Sequence, residues 1–425
     1  MRTPTDKWIA SRLGIGVEDL TKEALTEYQL QRFRETLSYV TEHSAFYSSH
    51  LKGTVPESIR TPEDIKRLPV TSEKDLAGNE NSFLCIPPGR VERIFTVPTT
   101  GTHGDRKRIF FTAKDLAPSV EFYYHAFLTF IKPGDRLLVF MGGTSEGSVG
   151  DTIDRSLSPI GVETRVFGQL TDLEEAWNAV TDFMPDVIVG IPYQIAALAS
   201  YSKAAGTVLS VRCVLLSADD VPVSVRDRIH RIWGAEVYSH YGLTETGLAG
   251  GVDCCAHRGY HLRSCDMYAE VLDPDPDGWG ELAVTPFGRE AMPLIRYRTG
   301  DIVRISEEPC PCGGVLPRLE TIRGRLSNST VLFGKRIFLS QIEEEVFSDN
   351  ACVDLECSVS EGRLSLLIRT LEGEGADTDG IIRRIKERVL PPGAALSVRE
   401  EFISGFLPER SPKKRMNATL EENYV

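Results

Sequence analysis

No stretch of this sequence approaches the roughly 20 consecutive apolar residues that span a bilayer, so nothing in it reads as a membrane helix. The opening segment, MRTPTDKWIASRLG, lacks an apolar signal core, and a cytoplasmic location is the expectation. Excess positive charge is also missing: 48 Lys and Arg stand against 61 Asp and Glu, a formal net charge of −13. That balance disfavours nonspecific binding to nucleic acid or to an anionic membrane, so a phosphate-bearing ligand has to be held by particular groups. The nine cysteines (85, 213, 254, 255, 265, 310, 312, 352 and 357) are odd in number, which argues against a disulfide framework.

What is present describes a soluble α/β protein. The 425 residues exceed what one hydrophobic core usually fills, which implies two or more domains. Residues 1–90 read as helices and loops without chemistry, with Thr71 or Ser72 in LPVTSEKDL as a helix cap. From 135 to 240, five short apolar runs follow: DRLLVFMGG, VETRVFG, PDVIVGIP, RCVLLSADD and AEVYSHYG. Continuous Val- and Leu-rich runs suit strands buried on both faces, and the segments between them are long enough for helices. In TDLEEAWNAVTDF, Thr171 and Glu174 have capping-box spacing, and Leu173, Trp177 and Val180 share a face. Strand–helix alternation implies a parallel sheet with ligands at its carboxyl edge. The shorter rhythm of 268–305 reads as antiparallel strands around a Pro, Asp and Gly turn. After Arg325 a small α+β module of βαββαβ type is expected, giving a large domain 1–325 and a small mobile domain 326–425.

Four segments carry candidate chemistry. TVPTTGTHGD concentrates hydroxyls and bare backbone amides, which suit a polyphosphate but equally make an ordinary turn. SHYGLTETG follows the last parallel strand and sets an aromatic ring, a hydroxyl and a carboxylate side by side. In RYRTGD, Asp301 can accept both hydroxyls of a ribose, or take part in an ion pair with Arg296 or Arg298. GFLPERSPKKRMN carries Lys413 and Lys414, either a solvated basic tail or a cation for a phosphorus transition state.

The order of these segments resembles the adenylate-forming enzymes, and within them the phenylacetate-CoA ligase family. LPVTSEKDL, YGLTETG, GELAVTPF, PLIRYRTGD, IRGR and ERSPKK carry the resemblance over nearly the whole chain. It implies an ATP-dependent acid–CoA ligase that forms acyl-AMP and then acyl-CoA, with an aryl or arylacetic acid, ATP and CoA as small-molecule partners. A homodimer is left open. By the resemblance, Thr99, Thr100, Gly101, Thr102 and Gly104 cradle the β- and γ-phosphates. Tyr241 and Gly242 lie at the adenine, Thr244 at the α-phosphate, and Glu245 holds Mg²⁺. Asp301 takes the ribose, Arg325 begins the hinge, and Lys414, with Lys413 as the alternative, is the adenylation lysine. Tyr123, Tyr124, Ser217, Ala218 and Tyr241 fall at positions of the acid pocket.

The chain departs from the family pattern at three places. His103 stands where Thr or Ser is common, and the usual Lys-Pro is replaced by Asp105, Arg106 and Lys107, so the loop lysine is displaced by two places. Leu326, Ser327 and Asn328 replace acidic hinge residues, and Lys413 stands where Gly is usual. Two other readings stay open: adenylation with transfer to an acceptor other than CoA, and a nucleotide-binding interaction protein that has lost catalysis.

The remaining cysteines suggest zinc. DCCAHRGYH offers Cys254, Cys255 and His261, and CPCGG offers Cys310 and Cys312, a mixed sulfur and nitrogen set for a tetrahedral structural site. Some relatives resemble the chain in having Cys…His and Cys-x-Cys at these places. Such a metal would steady the loop that begins at Tyr241.

Overall fold

The computed structural model describes residues 2–98, 106–143, 146–206, 209–408 and 416–418. The chain is mixed α/β and divides into two compact units. One comprises Met1–Thr129 with Tyr241–Thr321, and the other Phe130–His240 with Ile322–Val425.

In the second unit, the five apolar runs are strands Arg136–Phe140, Glu163–Val166, Val187–Gly190, Cys213–Leu216 and Glu236–Tyr241. They pair in parallel, with Glu163–Val166 at the edge, followed by Arg136–Phe140 and the other three in chain order. Every residue of Val187–Gly190 and Cys213–Leu216 is buried, as strands covered on both faces require. The helix Leu173–Phe183 buries Leu173, Trp177 and Val180 as its spacing predicts. Its cap differs from the expected Thr171. The Asp172 carboxylate accepts from the Glu174 and Glu175 amides at 2.9 and 3.0 Å, and a negative charge there also suits the helix dipole.

Residues 322–425 belong to this same unit. Their sheet runs Ala395–Ile403, Arg363–Leu371, Cys352–Ser360, Met416–Ala418. The expected βαββαβ order along the chain is present, but its leading strand, Lys335–Phe338, is not in that sheet. It pairs with Ser329–Leu332, because Phe333 and Gly334, at φ 47° and 77°, make the tight turn that closes a local hairpin. Met416–Ala418 takes the fourth place instead. The helix Val223–Trp233 carries Arg228, which is fully buried and donates to the carbonyls of Cys352, Phe347 and Asp349 at 2.7 Å each.

The first unit joins the N-terminal helices to antiparallel strands. Met267–Leu272, Gly280–Pro286 and Tyr297–Ser306 pair in succession, and Tyr260–Leu262 pairs with both Gly251–Val252 and Arg318–Arg325. A further antiparallel pair joins Arg93–Pro98 to Arg106–Phe111, on either side of residues 99–105 in sequence. LPVTSEKDL is anchored twice. Ser72 and Asp75 form the capping box of helix Glu73–Leu76, whereas the Thr71 hydroxyl donates to the Ile295 carbonyl at 2.7 Å. Among the described residues, no helix is long and apolar enough to cross a membrane.

Candidate functional site

The segment after Glu236–Tyr241 folds tightly in the first unit. Leu243 accepts from the amides of Thr246 and Leu248, and Thr244–Thr246 form a short 3₁₀ turn that ends at Gly247, φ 80°. A Cβ at Gly247 would lie 2.9 Å from both Arg289 Nη2 and Ser119 Oγ, so the close approach needs glycine. The Arg289 guanidinium donates to the Glu245 carbonyl at 3.2 Å, and Ser119 Oγ donates to the Gly247 carbonyl at 2.7 Å. Burial pushes Arg289 down to about 10. The turn is therefore held by buried donors, and the Thr246 hydroxyl adds bonds to the Leu243 and Ala249 carbonyls at 3.0 and 2.7 Å.

Two side chains of this region meet residues from distant segments. The Tyr241 hydroxyl donates to Asp301 Oδ2 at 2.7 Å, joining YGLTE to RYRTGD about fifty residues on. Glu245 is buried and lies 2.6 Å from the Lys107 ammonium. Lys107 also lies 3.2 Å from Glu73 Oε1 and donates to the Tyr297 hydroxyl at 3.0 Å. Burial works against the charge on Lys107, but Glu245 and Glu73 outweigh it and raise its pKa above the ordinary lysine value. Arg296 and Arg298 serve the sheet instead. Arg296 pairs with Glu270 through two nitrogens, at 2.7 and 3.0 Å, and Arg298 pairs with Glu281.

A second cluster lies in the same unit. The ligand atoms of Cys254, His261, Cys310 and Cys312 all fall within 4.8 Å of one another. Cys254 and Cys310 sulfurs are 3.7 Å apart, and Cys312 Sγ is 3.3 Å from His261 Nε2. Tetrahedral zinc with bonds of about 2.3 Å to sulfur spaces its sulfurs by roughly 3.8 Å, so the donor set suits that ion in both chemistry and span. Of the two neighbouring thiols, Cys254 is in the group, and Cys255 is exposed and outside it. A Cβ at Gly314 would come within 2.4 Å of His261 Cε1, so the second glycine of CPCGG makes room for the imidazole.

The family profile described as AMP-binding enzyme matches residues 93–284. Phenylacetate-coenzyme A ligases of Thermus thermophilus and Pseudomonas putida are 28% and 26% identical over 349 and 348 residues. The matches cover 77% and 78% of this chain and 76% and 77% of those enzymes. By these matches the chain carries an AMP-binding domain and fits the phenylacetate-coenzyme A ligase family of the adenylate-forming superfamily. Its fold is also that of a 2-hydroxyisobutyryl-CoA ligase crystallised with an acyl-AMP. The TM-score is 0.77 at 20% identity, covering 94% of this chain and 90% of the other.

The remaining expected residues fall into three groups. Thr99, Thr100, Gly101, Thr102 and Gly104, like His103, Lys413 and Lys414, lie outside the described residues. Arg325 ends the strand Arg318–Arg325, and a 3₁₀ turn follows at Leu326–Asn328. Of the acid-pocket positions, Tyr123 is buried and donates to the Leu248 carbonyl at 3.2 Å, whereas Tyr124 is half-buried on the same helix. In the other unit, Ser217 Oγ and His240 Nδ1 are 2.9 Å apart at the carboxyl ends of neighbouring strands, and Ala218 takes φ 74°. His240, Glu73, Arg289 and Ser119 were not read as site residues in the sequence. Only His240 had a signal there, since it directly precedes Tyr241 at a strand end.

Proposed function

We propose that this protein is an ATP-dependent carboxylic acid–CoA ligase whose acid is aromatic, an aryl or arylacetic acid. The observation that carries the reading is the bond between the Tyr241 hydroxyl and Asp301. It joins two nucleotide-binding motifs far apart in sequence. A carboxylate oxygen of the acid attacks the α-phosphorus of ATP, and pyrophosphate leaves with the bridging oxygen. The CoA sulfur then attacks the acyl carbon, its proton is lost, and AMP departs.

In this reading Tyr241 and Gly242 border the base, Asp301 accepts the ribose hydroxyls and Thr244 faces the α-phosphate. Thr99 to Gly104 cradle the outer phosphates, and Tyr124, Ser217 and Ala218 border the acid. Glu245 offers the hard oxygen donors that magnesium takes, and the ion when bound supplies positive charge at the phosphates. Lys414, or its neighbour Lys413, brings a further cation. Residues 326–425 act as a small domain turning about Arg325 to Asn328, beside a large domain of 1–325. Cys254, His261, Cys310 and Cys312 hold a structural zinc, since four protein ligands leave no open position for catalysis. The enzyme works in the cytoplasm, and a homodimer is the protein assembly to look for.

Pyrophosphate exchange with a panel of aryl acids, followed by mass spectrometry of the products with CoA, tests this. Acid-dependent exchange without CoA, together with AMP and an aryl-CoA when CoA is added, is the expected result. Lys414→Ala lowers exchange about a hundredfold or more, as loss of a transition-state cation does. Exchange without thioester would favour a different acceptor, and no exchange with any acid would remove the ligase reading.

A further inference from the structure

We infer that Glu73 is a second seat for the Lys107 ammonium, keeping that buried charge paired when Glu245 turns its carboxylate to a magnesium nucleotide. The inference rests on the adenylation reading above and concerns how the same site is controlled. Glu73 lies in the N-terminal segment where the sequence shows no chemistry.

The geometry is asymmetric in a useful way. Glu245 is 7% exposed and holds Lys107 at 2.6 Å, whereas Glu73 is 28% exposed and holds it at 3.2 Å. Two carboxylates therefore share one ammonium, and the trio carries a net charge of about −1 at neutral pH. Without a cation between them, two neighbouring carboxylates disfavour each other. Without a carboxylate, the ammonium, which is 11% exposed on its side chain, would be an uncompensated buried charge. Glu245 can release Lys107 only if another anion keeps it, and Glu73 is placed to do so.

That second seat is firmly built. Glu73 opens the helix Glu73–Leu76, whose start is set by the Ser72–Asp75 capping box. The preceding Thr71 bonds to both sides of Arg296, its hydroxyl to the Ile295 carbonyl at 2.7 Å and its amide to the Arg296 carbonyl at 3.1 Å. The Tyr297 hydroxyl accepts from Lys107, and the Tyr297 ring centroid is 5.6 Å from its nitrogen. With Glu73 and Tyr297 retained, the move of Glu245 breaks one contact and leaves no charge alone.

Calorimetric titration of the full chain with Mg²⁺ and β,γ-methylene ATP tests the inference. Glu73→Gln removes the excess negative charge and leaves Lys107 with Glu245 as its one carboxylate. Magnesium affinity at fixed analogue should fall about tenfold, while analogue affinity without magnesium changes less than twofold. Glu73→Asp, which keeps the charge on a shorter arm, should recover most of the loss. In pyrophosphate exchange, the magnesium half-saturation should rise far more than the limiting rate falls. Unchanged magnesium affinity in Glu73→Gln, or equal losses in the Gln and Asp variants, would overturn the inference alone. A wild-type chain that binds no nucleotide would overturn it together with the adenylation reading.

Discussion

Tyr241 donates its hydroxyl proton to Asp301, so one hydrogen bond fixes both the ring and the carboxylate of the proposed nucleotide seat. A bond to a charged acceptor is worth about 1.5–3 kcal/mol. Tyr241→Phe should therefore raise the ATP Michaelis constant about tenfold in pyrophosphate exchange, with a smaller change in the limiting rate. At this scale the sequence was informative where residue types are unusual together. Tyr, Thr and Glu after a strand, and Asp in RYRTGD, stood out in the sequence as an unusual set, and the structure joins Tyr241 to Asp301. Glu73 was not legible, because an ion pair to Lys107 across distant segments has no local spacing to betray it. Arg296 and Arg298 show the converse: two cations near a candidate site proved to be partners of Glu270 and Glu281.

Among the elements, the strand Tyr260–Leu262 links the two cysteine loops. Its His261 pairs in register with Arg318, just beyond CPCGG, while Cys254 lies on the loop before the strand. If zinc occupies the cluster, purified protein should contain about one zinc per chain by elemental analysis. Cys310→Ser should lose it and Cys255→Ser should keep it, since Cys255 lies outside the group. Chelation should then lower the thermal midpoint and weaken ATP binding by calorimetry. Unchanged ATP affinity would separate the metal from the Tyr241 loop. The strands Arg136–Phe140, Val187–Gly190 and Cys213–Leu216 were readable from uninterrupted apolar runs, whereas Glu163–Val166, at the edge of the parallel set, is ETRV and not buried as the reading of that run expected. The C-terminal sheet was read correctly except at one edge. Lys335–Phe338 has strand composition, but the turn at Phe333 and Gly334 gives it a nearer partner than the sheet. The cap at Asp172 was missed by one residue because both Thr171 and Asp172 are capping types, and the backbone alone decides between them.

At the scale of the molecule, each compact unit is assembled from two separate stretches of chain. Within the second, Arg228 binds 130–240 to 322–425 by three carbonyls, and burial pushes its pKa down to about 10. Arg228→Ala would leave those carbonyls without their donor and open a cavity, and should cost about 3–5 kcal/mol in urea unfolding. Arg228→Met fills much of the same volume and should cost less. Equal small losses would show that this contact is dispensable. Such long-range assembly was invisible in the sequence, where Arg228 is one of three arginines in VSVRDRIHRIW and nothing local sets it apart from Arg226 and Arg231.

The divided units also set the order in which the protein can form as it is made. Residues 1–129 leave the ribosome first, yet the rest of their unit begins at Tyr241. At about 5–20 residues per second, they wait on the order of ten seconds while a stretch of the other unit is synthesised. That stretch in turn lacks its own partner until residues beyond 322 appear. Isolated helices shorter than about 12–15 residues are marginal in water, so among the described helices of the first 90 residues the 22-residue Lys22–His43 is the part able to hold local structure through that interval.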